Sequence, residues 1–343
     1  MKFDFCIGNP PYNEDFENSG NNGNFAKPVY HQFMDAANGV AEKVELVHPA
    51  RFLFNAGSTP KEWNEKKLND PHFKILEYEA NSSKVFSNTD IKGGVVISYS
   101  DSTKDFGTIG TFTAFPELNG IVKKCRAENE AESLSSIIYT QVRFNLDKLF
   151  QDYPEYKTVI GSKGKDKRFR NNAFEKIDLF SESGSEGDIK VIGVLKNKRT
   201  FRYIPSEYVD MSHENLKCWK ALCPRANGAG VFGESLSSLI IGEPYLGYTQ
   251  TFIGIGAYET QYEAEATMKY VKSKFARTLL DVLKVTQDND RGVWKLIPVQ
   301  DFTPSSDIDW SVPVKSIDQQ LYKKYNLSDE EISFIETNVK EMT

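Results

Sequence analysis

The stretch that decides the fold is FDFCIGNPPY, residues 3–12. Its apolar first half predicts a strand over residues 3–7, and the two consecutive prolines predict a rigid loop at the end of that strand. Prolines fix φ, donate no backbone hydrogen bond and push the residue before them into an extended conformation. What remains is a stiff edge of acceptors, the Asn9 side-chain oxygen and the Pro10 carbonyl, beside the Tyr12 ring. This set suits a planar substrate with an NH2 group, because each oxygen accepts one amino hydrogen and the ring stacks on the flat face.

Gly8-Asn9-Pro10-Pro11-Tyr12 after a short apolar strand resembles the catalytic motif of DNA adenine-N6 methyltransferases. The likeness is to those of type II restriction-modification systems whose target-recognition domain follows the catalytic domain. Residues 44–52, VELVHPARF, resemble the next core strand of that family, and residues 84–99 resemble a later segment in which an aromatic residue precedes an apolar strand. The resemblance covers residues 2–105. Beyond these it rests on domain order.

The resemblance implies how the motif works. Asn9 and Pro10 would accept the amino hydrogens of the target adenine, Tyr12 would stack on the base, and Phe86 would contact its other face or edge. The methyl group would come from S-adenosylmethionine, and the adenine would have to flip out of double-stranded DNA. The plainer alternatives are a rigid turn for the Pro-Pro-aromatic motif and a core position for Phe86.

The cofactor site of that family consists of a strand with a glycine-rich turn and a later acidic residue, both upstream of the motif. Only eight residues precede Asn9, and Gly254-Ile255-Gly256 lacks the third glycine of a dinucleotide-type turn. The resemblance therefore implies an N-terminally incomplete enzyme whose cofactor-binding residues are unknown. We expect a missing N-terminal portion, or a partner chain, to carry the cofactor site. We also expect negligible methylation by this chain alone.

Composition sets further bounds. The 343 residues suffice for two domains, and no apolar run predicts a membrane span or a signal peptide, so a cytoplasmic protein without a membrane partner is expected. The four cysteines are expected to be reduced and structural. Cys218 and Cys223 lie near His213, but no second ligand pair at zinc spacing accompanies them, so no metal site is predicted.

Positive charge concentrates in one region although the net charge is -6. Two basic clusters lie at residues 163–170 and 196–202, separated by an acidic, small-residue stretch at 181–188 that predicts an exposed turn. Downstream of an adenine-methylation motif they favour a phosphate-contacting surface, although solvated loops are the alternative. The predicted DNA-binding residues are Lys163, Lys165, Lys167, Arg168, Arg170, Lys198 and Arg199.

The alternation of strands and helices predicts an α/β fold. The resemblance narrows this to the C-terminal half of a Rossmann-like methyltransferase sheet followed by a mixed α/β target-recognition domain. The expected domains are a partial catalytic domain at 1–105, a connection at 106–133 and a recognition domain with C-terminal helices at 134–343. Strands are predicted at 3–7, 44–47, 73–79, 94–100, 110–115, 136–139, 189–194, 200–204, 237–241 and 249–254, and helices at 28–41, 60–68, 116–127, 145–150, 213–222, 263–283, 317–325 and 329–340.

Three finer features are predicted. The strands at 73–79 and 94–100 should form an antiparallel edge hairpin, residues 13–27 a mobile loop, and Ser328 with Glu331 a capping box. Two other functions compete with site-specific adenine methylation. One is a DNA-binding specificity subunit or fragment without catalysis. The other is methylation of a protein glutamine or an RNA base, which related motifs perform. No pattern supports a nuclease.

Overall fold

The computed structural model describes residues 3–13, 27–54, 58–87, 91, 93–125, 132–228, 231–236, 238–284 and 287–342. The chain divides into two compact units, residues 1–119 and 120–343. Their boundary falls within the predicted connection at 106–133. Most of the loop predicted at 13–27 lies outside the described residues. Among the described helices, none has the length and apolar character to cross a membrane.

Unit 1 contains a four-stranded sheet in the order β1-β2-β4-β3. β1 and β2 are parallel, whereas β4 is antiparallel to both β2 and β3. β1, β2 and β3 therefore point the same way, and their carboxyl ends lie along one edge of the sheet. The predicted edge hairpin of β3 and β4 is confirmed. The elements are β1 (Phe3–Gly8), α1 (Tyr30–Val40), β2 (Ala41–Pro49), α2 (Lys61–Leu68), β3 (Phe73–Glu79) and β4 (Val95–Asp101).

One face of this sheet is buried and the other is open at β1. The buried face carries Val44 and Leu46, which pack with Tyr30 and Met34 of α1 in one core cluster. On β1, by contrast, Phe3 and Ile7 are 71% and 73% exposed. β1 is also an edge strand, so its outer backbone groups and these apolar side chains face solvent together.

Unit 2 contains two sheets, ordered β10-β6-β7 and β5-β11-β8-β9. Buried side chains from both sheets, among them Val191 and Phe252, belong to one core cluster. The unit is mixed α/β. Its strands are β5 (Ile138–Tyr139), β6 (Asp188–Leu195), β7 (Lys198–Pro205), β8 (Trp219–Pro224), β9 (Ile240–Gly242), β10 (Leu246–Tyr248) and β11 (Phe252–Tyr258).

The helices after α2 begin with α3, and the boundary between the two units falls inside α3. α5, α6 and α7 are single turns, and in α6 two residues are left-handed. The helices are α3 (Pro116–Cys125), α4 (Leu146–Asp152), α5 (Tyr156–Val159), α6 (Gly161–Gly164), α7 (Ala173–Lys176), α8 (Gln261–Lys272), α9 (Lys274–Leu283), α10 (Val314–Lys324) and α11 (Asp329–Asn338).

Three element predictions are wrong. The helix predicted at 213–222 is a turn followed by the buried strand β8, whose residues pair with β11 and β9. The long helix at 263–283 is two helices, because Ser273 ends α8 and caps α9 by accepting a hydrogen bond from the Ala276 amide. The strand at 110–115 is an irregular segment, in which Thr113 bonds with Asn119. The predicted capping box of Ser328 and Glu331 is confirmed.

Candidate active site and nucleic-acid interface

The Asn-Pro-Pro-Tyr motif lies where β1 ends. β1 ends at Gly8, which pairs with Leu46 of β2, so the motif emerges at the edge that holds the carboxyl ends of β1, β2 and β3. In open α/β sheets, ligands bind in the crevice outside the carboxyl ends of the strands. The position of the motif in the fold therefore suits a binding site.

Asn9 and Pro10 present acceptors at this edge. Asn9 is exposed and Pro10 is half-buried. Within the described residues, the Asn9 side chain makes no hydrogen bond, so its amide oxygen is available to a ligand. Neither Pro10 nor Pro11 has an N–H group, which leaves the backbone here as an acceptor-only surface.

Tyr12 anchors the end of the motif. Its carbonyl accepts a hydrogen bond of 2.9 Å from the Val29 amide, and its ring packs against the core that α1 covers. Its hydroxyl is buried and has no hydrogen-bond partner among the described residues. Burial raises the pKa of this hydroxyl. An orphaned polar atom in a binding position is a group that a ligand can satisfy.

Phe86 lies beside Tyr12 although it follows β3, the outer strand opposite β1 in the sheet. β1 and β3 are three strand spacings apart, roughly 14 Å, and the loop after β3 covers this distance. A short turn at Ser82–Lys84 shapes that loop: the Asn81 side chain caps it, and the Phe86 amide donates to the Ser82 carbonyl at 2.8 Å. The Tyr12 and Phe86 ring centroids lie 6.4 Å apart at an interplanar angle of 68°.

This ring pair bears on the expected roles of Tyr12 and Phe86. The structure brings the two residues together, as a slot for a flat base requires. The edge-to-face geometry is a direct ring contact, however, and leaves no parallel gap for a base. A base that stacks on Tyr12 must therefore displace the Phe86 ring.

His48 is buried next to this edge of the sheet, and the sequence predicted no role for it. It lies fully buried near the end of β2, donates from Nδ1 to the Pro49 carbonyl, and accepts at Nε2 from the Ser98 hydroxyl at 2.7 Å. Its ring stacks on Tyr30, with centroids 5.7 Å apart. Burial lowers the pKa of His48 to about 4, so the ring is neutral at pH 7. In the sequence, His48 could have been recognised as a polar residue inside an apolar strand.

His48 makes unit 1 sensitive to acid. The folded-state pKa lies below the unfolded value of 6.5, so the unfolded chain binds an extra proton between about pH 6.5 and pH 4. The contribution of neutral His48 to the free energy of unfolding is therefore fully present above about pH 6.5. It decreases by about 3 kcal/mol as the pH falls to 4. We expect urea unfolding, followed by circular dichroism from pH 7 to 4, to show this loss in the wild type and a smaller one in His48→Asn. The exposed control His72→Asn should match the wild type.

A cleft of about 690 Å³ in unit 1 lies elsewhere. Its lining includes Ala41 at the amino end of β2 and Ser102 just after the carboxyl end of antiparallel β4. These positions mark the edge opposite the motif. The cleft is therefore separate from the candidate active site.

In unit 2 the first basic cluster is partly neutralised. The buried Asp166 accepts hydrogen bonds from Arg168 at 2.9 Å and 3.2 Å and forms a close ion pair with Arg170. Although burial raises the pKa of Asp166, the hydrogen bonds from the arginines lower it to about 2. Phe169 is fully buried in the core, so it offers no ring to a nucleic acid. The structure thus gives the two arginines an internal partner.

Lys163 and Lys165 are the freer part of that cluster. Both are exposed, and neither forms an ion pair within the described residues. Ser162 and Lys163 have φ of 56° and 55°, and Gly164 follows with φ of 81°. Lys163 thus lies within a left-handed turn, and Lys165 directly follows it. Lys167 lies 4.0 Å from the Asp210 carboxylate.

The second basic cluster lies on a hairpin. Lys198 and Arg199 open β7, and both are exposed. The Arg199 guanidinium donates to the Ser238 carbonyl at 2.7 Å and lies 5.7 Å from the Phe252 ring centroid. Arg199 is thus fixed against the protein, whereas Lys198 has no ion-pair partner in the described part of the chain.

The part of the chain that contains the Asn-Pro-Pro-Tyr motif is similar to known methylases. The family model of the Eco57I restriction-modification methylase matches residues 1–86. The resemblance to restriction-modification adenine methyltransferases is confirmed for this part of the chain. An "Uncharacterized adenine-specific methylase" of Mycoplasma pneumoniae is 31% identical over 96 residues, which are 28% of this chain and 22% of that protein. The chain therefore spans about a fifth of that relative.

Two solved structures of restriction-modification enzymes bound to DNA are also similar in part. The Type IIL enzyme MmeI matches 98% of this chain and 56% of its own, at 10% identity and a TM-score of 0.37. The ATP-dependent Type ISP enzyme LlaBIII matches 82% of this chain and 28% of its own, at 12% identity and a TM-score of 0.24.

Proposed function

We propose that this chain holds the target adenine and contacts DNA in a site-specific adenine-N6 methyltransferase of a restriction-modification system. One observation supports this above the others. The methylase-like residues 1–86 place two amino-hydrogen acceptors, Asn9 and Pro10, beside a pair of aromatic rings at the carboxyl edge of the sheet. Acceptors and rings together match the two recognisable parts of adenine, its amino group and its flat face.

In the proposed mechanism, the flipped adenine places its amino group against Asn9 and Pro10. The amide oxygen and the carbonyl each accept one amino hydrogen, which draws the nitrogen lone pair out of the ring and directs it away from the two acceptors. S-adenosylmethionine, when bound, would supply the methyl group and leave as S-adenosylhomocysteine, and the methylated nitrogen would release one of its two hydrogens as a proton. The proline-fixed loop keeps both acceptors in place before the base arrives.

The aromatic pair then selects and shields the base. Tyr12 stacks on the adenine once Phe86 has moved aside, and Phe86 contacts the opposite face or the edge. Unstacking the adenine from DNA costs a few kcal/mol, and stacking on a side-chain ring recovers about 1–3 kcal/mol. The Tyr12 hydroxyl, which is buried and has no hydrogen-bond partner among the described residues, is not needed for stacking.

Two Tyr12 variants separate these contributions. Tyr12→Phe keeps the ring and removes the orphaned hydroxyl, so we expect methylation within about threefold of the wild type and a stability higher by about 1 kcal/mol. Tyr12→Ala removes the ring and should lower methylation roughly tenfold or more. Methylation of genomic DNA in the cells that encode this chain and thermal melting of the purified chain give the two readouts. Wild-type methylation in Tyr12→Ala would exclude stacking.

DNA binding is tested on the chain itself. Fluorescence anisotropy with a 40-base-pair duplex pool, across a salt series, should show affinity that falls steeply with salt, because cationic side chains displace counterions. The double variant Lys163→Ala/Lys165→Ala should lower the slope of log K against log salt by about two. The matched control Lys315→Ala/Lys323→Ala removes the same charge from exposed positions of α10. Absence of binding at low salt would contradict the proposal.

A further inference from the structure

The β6–β7 hairpin ends in a narrow two-stranded ribbon. Its register is regular from the pair of Asp188 with Pro205 to that of Leu195 with Lys198. The third strand, β10, pairs only with residues 190–192 of β6, and β7 is the edge of the sheet. Beyond residue 193 the hairpin therefore consists of two strands alone. A two-stranded ribbon has the width that the major groove of B-DNA admits.

The tip of this ribbon carries polar groups that the protein does not use. Lys196, Asn197 and Lys198 are exposed. Within the described residues their side chains form no ion pair or hydrogen bond. Other cations nearby are engaged: Arg202 bonds with Glu182 at 2.9 Å, and Arg199 is fixed by the Ser238 carbonyl. The tip is thus a free positive surface around a single amide.

The turn places one residue that does not favour it, Lys196, before one that tolerates it, Asn197. Lys196 and Asn197 have φ of 48° and 61°, the arrangement of a two-residue hairpin turn in which glycine is preferred. Lysine adopts left-handed backbone at a cost in free energy that glycine avoids. The chain thus carries two ligand-capable side chains at positions where the backbone alone would favour glycine.

We propose that this tip enters the DNA major groove, with Asn197 contacting a base edge and Lys196 and Lys198 contacting the flanking phosphates. The inference rests on the proposed function and adds a determinant of sequence specificity to it. An asparagine amide pairs with adenine at N6 and N7, because it offers one acceptor and one donor in matching positions. The hairpin therefore specifies an adenine in the recognition sequence, at a position separate from the methylated base.

The test is a selection of bound sequences from duplex DNA with 20 randomised base pairs, using the full chain. Wild type should enrich a motif. Asn197→Gly should lose the preference for adenine at one position by roughly tenfold and keep the others. Because glycine adopts the same φ freely, the hairpin should stay folded, with a melting temperature no lower than that of the wild type. An unchanged motif in Asn197→Gly would overturn the inference while leaving the proposed function intact.

The lysines need a different readout. Lys196→Ala/Lys198→Ala should weaken binding to all sequences, lower the salt slope by about two and leave the selected motif unchanged. Lys315→Ala/Lys323→Ala, with the same loss of charge, is the control. A salt slope equal to that of the control would overturn the phosphate contacts. Duplex RNA should compete poorly because its major groove is too narrow for side chains, and competition equal to that of DNA would refute groove entry.

Discussion

Asn9→Ala is expected to lower methyl transfer to adenine by roughly a hundredfold to a thousandfold, which corresponds to about 3–4 kcal/mol of transition-state stabilisation. The variant loses the exposed amide oxygen that we propose as acceptor of one amino hydrogen, while the Pro10 carbonyl and the Tyr12 ring remain. Since the Asn9 side chain is exposed and makes no hydrogen bond within the described residues, the fold should be unaffected. Long-read sequencing of N6-methyladenine in the cells whose genome encodes this chain measures the effect.

Two further variants make this result specific. Asn9→Asp keeps an acceptor oxygen at the same place, so its methylation should lie between that of the wild type and that of Asn9→Ala. Asn13→Ala, a change at an exposed asparagine four positions along, should leave methylation unchanged. DNA affinity should stay within about twofold in all three, because amino-group contacts form only after flipping. Undiminished methylation in Asn9→Ala would remove Asn9 from the mechanism.

Sequence patterns predicted unit 1 well because its signals are local. β3 was predicted with its observed bounds, and β4 within one residue, because each is a short apolar run between turn residues. The motif itself predicted the loop after β1, since two prolines permit few other conformations. The edge-to-face contact of Tyr12 with Phe86 could not be predicted from the sequence. It depends on how the loop after β1 meets the loop after β3, and these are the two outer strands of the sheet.

The basic clusters show a second limit. Their composition predicted one cationic surface, yet Asp166 engages Arg168 and Arg170 and leaves Lys163 and Lys165. The sequence gives only the number of cationic residues in a segment. The charge at the surface depends on which carboxylates the fold brings near those cations. The hairpin turn at Lys196 and Asn197 was missed for a related reason. Asn197 is a turn-forming residue, but lysine precedes it and no glycine follows it, so the tip carried no turn signal of the Asn-Gly type.

β8 explains the largest error in unit 2. Residues 213–222 were predicted as a helix because Leu216 and Trp219, three positions apart, would lie on one side of it. In the structure Lys220 is fully buried. Its ammonium donates to the carbonyls of Asn215, Cys218 and Glu243 at 3.0, 2.9 and 3.2 Å, with Leu216 at 3.3 Å. No local pattern encodes such a cage of carbonyls.

Lys220→Met should therefore destabilise unit 2 strongly. Methionine fills the space of the lysine stem, but the carbonyls of the preceding turn and of Glu243 lose their common donor inside the protein. Burial lowers the pKa of Lys220 to about 8, so the ammonium is still charged at pH 7, and charge-assisted hydrogen bonds contribute about 1.5–3 kcal/mol each. Allowing for shared protons and relaxation, we expect a loss of about 3 kcal/mol in the free energy of unfolding, measured by urea denaturation with tryptophan fluorescence.

The matched control is Lys217→Met, three residues away on the exposed side of the same turn, which should change the midpoint little. Lys220→Arg adds a discriminating case. The guanidinium keeps the charge but is planar and larger than an ammonium, so it does not fit a cage formed around one nitrogen. We therefore expect the Lys220→Arg protein to be less stable than the wild type as well. If charge alone held the turn, Lys220→Arg would match the wild type. If neither Lys220 variant shifted the urea midpoint relative to Lys217→Met, the carbonyl cage would not stabilise the start of β8.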